Sequence, residues 1–176
     1  LSGLAIQPGP TWQPLFHIDL FLLPGGRTQD GKLRLFIGQI QNLETLSLSP
    51  EDEYRLQSLQ AMLDEVETSL KWQIPGLETA HLPIITSIQQ GSIAIESLCN
   101  GWVEVGTQGK RAYLPDYRTH PHRDQYAVRR AMLHDLASDT LANWGFETRW
   151  VDMDFPNLSR HAGALHCATK ILSRTP

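Results

Sequence analysis

The sequence predicts an α/β protein built from repeated strand–strand–helix–strand units, arranged in a propeller-like or pseudo-symmetric assembly. Two amphipathic helical stretches lie roughly 73 residues apart. Each is preceded by two strand-like segments and followed by a third, and helices alternating with strands imply sheets with helices on their outer faces. The 176 residues are enough for one domain with a proper core, or for part of a larger one, but not for a second large domain.

After a Pro/Gly-rich entry, "LFHIDLFLL" (15–23) reads as a strand. The turn "PGGRTQDG" follows, and "KLRLFIGQI" (32–40) forms the second strand of a hairpin-like pair. The next segment predicts a helix of about 22 residues. Ser49 is its N-cap, Pro50 its first residue, and acidic side chains fill its first turn. Leu56, Leu59, Leu63, Val66 and Leu70 recur at spacings of three and four, which puts them on one face. A short strand is expected around 82–86. Residues 91–106 and 110–117 are again strand material, with Asn100-Gly101 allowing a bend within the first. A second helix, about 122–144, ends at Gly145. A strand follows at 146–153, and 163–173 would open or close a further unit.

Composition excludes several functions. A hydrophobic share of 41% with 19% charged residues is that of a soluble globular chain. No apolar run reaches the roughly 18–20 residues needed to cross a membrane. A net charge of −4 without a Lys/Arg stripe argues against nucleic acid as a partner. The strongest basic cluster, Arg129-Arg130, falls on the second helix. Cys99 and Cys167 form no disulfide framework and no close-spaced zinc pattern, so reduced thiols and a cytoplasmic setting are expected. The chain begins at Leu1 rather than Met, which leaves room for a natural N-terminus further upstream.

Three clusters could carry chemistry. On an extended "FHIDLF", His17, Asp19 and Phe21 share one side, with a base and a carboxylate about 7 Å apart along the chain. A strand with a polar, half-exposed face explains the same residues, although the apolar neighbours suggest burial, where His or Asp needs partners. Cys167 follows His166 in a run of small residues, "SRHAGALHCATK". Cysteine is often simply buried, whereas a nucleophile needs a lowered pKa and an accessible sulfur. His120 and His122, with Asp116 or Asp124, could bind a metal, but N-terminal capping of the second helix accounts for them better, and no metal is predicted. His134 lies on that helix, and His81 and His161 have no partner that the sequence names.

The stretches "HIDLFL" (17–22), "CNGWVEV" with "AYLPDY" (99–117), "ANWGFETRWVDM" (142–153) and "RHAGALHCATK" (160–170) fall in one order. In that order the chain resembles the C-terminal half of the catalytic domain of guanidine-modifying enzymes of the pentein fold, a five-bladed α/β propeller. It looks most like the protein-arginine deiminases, with agmatine deiminases nearest in kind. The resemblance implies about half of a ring. It makes His17 the general acid/base, Asp19 the carboxylate that grips a guanidinium, and Cys167 the nucleophile. Asn100 falls near a family asparagine without an assigned role.

The activity so implied is hydrolysis of peptidyl-arginine to peptidyl-citrulline and ammonia through a covalent amidino-cysteine. An agmatine or free-arginine deiminase, an amidinotransferase, and a noncatalytic binding module of the same fold are the alternatives. No cofactor and no calcium are expected. The partner would be an arginine-containing peptide or a small guanidino compound, and a homo-oligomer is compatible with this. The family carries another substrate carboxylate ahead of the HxD strand, where this chain has sixteen residues, so the remaining half is expected upstream or in another chain.

Overall fold

A computed structural model describes residues 17–41, 48–89, 92–118, 126–152 and 165. A short 3-10 turn, Ile18–Leu20, leads into β1 (Leu22–Arg27) and β2 (Leu33–Ile40). Then come α1 (Pro50–Gln73), β3 (Glu78–Gln89), β4 (Ser92–Ser97), β5 (Trp102–Gly106), β6 (Gly109–Pro115), α2 (Ala127–Ala142) and β7 (Phe146–Val151). The predicted unit is present twice: β1-β2-α1-β3 and β5-β6-α2-β7. In each, an antiparallel pair is followed by a helix and a strand parallel to the second member. A parallel neighbour needs a crossover, and each amphipathic helix supplies one. β4 adds an antiparallel fourth strand to the first sheet, whose order is β1-β2-β3-β4, while the second runs β5-β6-β7. The segment 163–173 lies outside the described residues except for Leu165.

The first helix forms as its sequence dictates. Ser49 Oγ accepts a hydrogen bond from the Asp52 amide at 3.1 Å, and Leu56, Leu59 and Leu63 are buried. These leucines pack with Ile40 and Ile84 on one face of the first sheet. Ile84 and Ile85 point to opposite faces of β3, and Ile85 enters a larger core with Leu23, Phe36, Leu114, Leu133, Phe146 and Leu165. α2 packs on both β3 and β7 and so bridges the sheets. Its end is the predicted one: Gly145 takes φ +79, the left-handed conformation that favours glycine.

Three expectations change in extent: the second helix, expected over about 122–144, is α2 over Ala127–Ala142 with Tyr126 as its N-cap, and two strand segments differ as follows. The short strand at 82–86 is the twelve-residue β3, because β2 and β4 pair with it on either side. The turn expected at Pro24 begins at Thr28 instead, since Pro24 to Arg27 stay in β1 with a register shift.

Glu67 ties α1 to β3. Burial pushes its carboxyl up, but hydrogen bonds with Lys71, Thr79 and His81 outweigh this and hold it down to about 2, against an ordinary 4.5. A carboxyl lowered on folding stabilises fully above its unfolded pKa and loses that contribution as pH falls through the folded value. Glu67→Gln should therefore be less stable than the parent at pH 6, with the gap closing between about pH 4.5 and 2. Urea midpoints at pH 6 and pH 3 measure it; a gap independent of pH contradicts the assignment.

Candidate active site

His17 and Asp19 do not lie on a strand. His17 caps the turn in extended conformation, and the turn closes through Leu20 N–H to His17 O (3.0 Å) and Phe21 N–H to Ile18 O (3.2 Å). The expected strand over 15–23, with His17, Asp19 and Phe21 on one side, is thus corrected over its described part: from 17 onward strand geometry starts at Leu22, and positions 15 and 16 lie outside the described residues. The apolar run is not buried on both faces either, since Ile18 is 67% exposed. The physical reason is long-range. The Phe21 carbonyl accepts from Gly38 N–H at 2.8 Å, the Leu20 carbonyl accepts from Ser97 Oγ, and Asp19 is bound from the turn after β4. Local alternation cannot register these partners.

The partner of Asp19 is Asn100. Its Nδ2 donates to Asp19 Oδ2 at 2.8 Å and reaches the Asp19 carbonyl at 3.4 Å. Asn100 is fully buried in the turn between β4 and β5, where Gly101 N–H donates to Cys99 O and Cys99 N–H donates to Ser97 Oγ. Asp19 is half-buried and His17 exposed. The sequence marked Asn100 as a bend residue but gave it no chemistry. The available signal was a primary amide directly after the apolar "SLC", since a buried amide requires partners.

Gly101 is required for this turn because a Cβ there would run into the Tyr113 carbonyl and approach Leu114 to 2.8 Å. Backbone cannot yield as a flexible side chain does. Gly101→Ala is expected to destabilise the protein by about 2 kcal/mol, as overpacking does. Thermal or urea unfolding checks this, and an unchanged midpoint would contradict the close approach.

The carboxylate of Asp19 accepts from Asn100 Nδ2 through Oδ2, which fixes its orientation. An oriented carboxylate of this kind suits a planar cation, which can pair with it through two parallel N–H bonds. An imidazole two residues earlier, that of His17, stands on the solvent side.

Cys167 and its neighbour His166 lie outside the described residues. Leu165, two positions before Cys167, is buried in the same core as Leu98 and Cys99. Cys99 itself is structural: burial pushes its thiol up to about 12, beyond the smaller opposing effect of the Ser97 hydrogen bond, so it does not supply a thiolate. His120, His122 and Asp124 also lie outside the described residues. Asp116 forms a bidentate pair with Arg118 (2.9 and 2.7 Å), and no group of three metal-ligating side chains occurs among the described residues.

His134 and the arginines of α2 face inward. His134 is fully buried; its Nδ1 donates to Arg130 O (2.7 Å) and its Nε2 accepts from Tyr117 N–H (3.2 Å). Burial lowers its pKa, in keeping with the neutral ring these bonds require. Arg129 donates to the carbonyls of Thr86 and Gln41, and Arg130 pairs with Glu96. His81, unpartnered in the sequence reading, pairs with Glu67.

No family model and no curated protein matches the chain. Among solved structures it is similar to C. jejuni agmatine deiminase, with a TM-score of 0.45 and 18% identity over 86% of this chain and 36% of that one. It is also similar to a cysteine-to-serine variant of C. jejuni agmatine deiminase with substrate bound, with a TM-score of 0.46 and 17% identity over 86% of this chain and 35% of that one. The chain thus spans about a third of the length of these structures. None of the described helices is long and apolar enough to cross a membrane.

Proposed function

We propose that this chain carries part of the active site of a guanidino-group deiminase, a hydrolase of amidine C–N bonds, within a larger pentein-type ring. The observation that supports it best is the Asp19 carboxylate clasped by buried Asn100 on the turn that His17 caps. His17, Asp19, Asn100 and Cys167 follow one another in the order of the guanidine-modifying enzymes that the sequence resembles.

In this reading Asp19 binds two guanidinium N–H groups and neutralises their charge. The Cys167 thiolate, favoured by the bound cation, attacks the central carbon. His17 delivers a proton to one terminal nitrogen as its C–N bond breaks, and ammonia leaves a covalent amidino-thioether. His17 then takes a proton from water, whose oxygen attacks the same carbon. The C–S bond breaks, releasing a ureido product and regenerating the thiolate. Water is the sole co-reactant.

Agmatine is the first substrate to test, being the one in the name of the similar solved structures, with free arginine and peptidyl-arginine beside it. In the full-length protein, ureido product is expected from one of the three, and a haloacetamidine probe should label Cys167 in competition with that substrate. A protein that forms no ureido product and carries no label on Cys167 would sink the proposal.

A further inference from the structure

The strand end that leads into the Asn100 turn is gripped from the opposite side by α2. Glu96, next to last in β4, receives Arg130 Nε at 2.8 Å and Nη2 at 3.0 Å, with side-chain exposures of 1% and 2% for the arginine and the glutamate. One residue on, the Ser97 carbonyl accepts from Tyr117 Oη at 3.3 Å. The Tyr117 amide in turn donates to His134, whose other ring nitrogen donates to the Arg130 carbonyl. On its outward side the same short segment bonds Leu20 through Ser97 Oγ and Asp19 through Asn100. Residues 96–100 are therefore buried throughout and bonded on both sides: to α2 and the end of β6 inside, to the His17–Asp19 turn outside.

Stability alone does not account for an ion pair in such a place. Desolvating two charges is costly enough that well-packed apolar residues of similar volume are often neutral or better. A bidentate fork, by contrast, fixes direction as well as distance, which an apolar pair does not.

We infer that Arg130 and Glu96 are positioning residues that set where Asn100 presents its amide, and thereby where the Asp19 carboxylate meets its cationic ligand. Neither touches the ligand. The carboxylate's role toward a guanidinium rests on the proposed deiminase reading; the positioning of Asn100 does not.

The test uses the full-length protein with Arg130→Met and Glu96→Leu combined, which removes both charges together and so leaves neither buried unpaired. The double variant should unfold cooperatively near the parent midpoint. Its crystal structure should show Asn100 Nδ2 and Asp19 Oδ2 separated beyond hydrogen-bond range, and KM for the guanidino substrate should rise at least tenfold. Arg130→Lys serves as a second variant, because it keeps both charges but replaces the fork with a single contact. It should fold like the parent and raise KM at least threefold, with Asn100 displaced. If the parent hydrogen bond persists in either folded variant, or if neither variant folds, so that the pair serves stability alone, the inference is overturned. An inactive parent protein would count against the deiminase reading, while the Asn100 to Asp19 distance would still decide this one.

Discussion

Asp19→Asn is expected to lower kcat/KM for a guanidino substrate by about 10²- to 10³-fold while leaving the fold intact. The substitution separates charge from shape. Asparagine can turn its carbonyl oxygen toward Asn100 and keep the hydrogen bond now made at 2.8 Å, so the turn retains its anchor. What it loses is the negative charge opposite a guanidinium and one of two acceptor oxygens. Losing one member of a desolvated charged pair costs roughly 3–4 kcal/mol, the stated range of rates. Asp19 is half-buried, which supplies that partial desolvation. Steady-state kinetics with agmatine and peptidyl-arginine, beside a urea titration, measure both halves. A variant within threefold of the parent in kcat/KM would remove Asp19 from substrate binding.

Glu96→Ala is expected to destabilise the protein by about 3–5 kcal/mol, the largest stability effect foreseen here. Arg130 is fully buried and pairs with Glu96 through two nitrogens, so the truncation takes both carboxylate bonds from a guanidinium held away from water. The cost comes from that unpaired charge far more than from the value of the pair, which is why removing both partners should be much milder than removing one. Urea unfolding of the two single variants and the double gives the coupling directly. Near-additive losses would mean that the two charges are not coupled, contrary to the expectation.

Each element was legible in proportion to how local its cause is. The first helix carries its own instructions, with Ser49 and Pro50 at its start and leucines at helical spacing, and it forms over Pro50–Gln73. Gly145 stops the second helix for an equally local reason. "HIDLFLL" (17–23) misled because its apolar content is shared between a turn and a strand: Leu23 enters the core, whereas Ile18 faces solvent. Arg129 and Arg130, adjacent cations on a helix, read naturally as surface. They are buried because Glu96 and the carbonyls of Thr86 and Gln41 wait on other elements.

By itself the sequence determined the order of elements, the repeated unit and the candidates His17, Asp19 and Cys167, because periodicity, caps and motif order are written along the chain. Only the tertiary structure decided that the His17–Asp19 segment is a turn and that Asn100, eighty-one positions away, binds the Asp19 carboxylate. It also turned the basic pair of α2 inward, Arg130 onto Glu96 and Arg129 onto the carbonyls of Thr86 and Gln41. The physical reason is common to all three: a buried polar group must find a partner, and the partner's distance along the chain leaves no trace in local pattern.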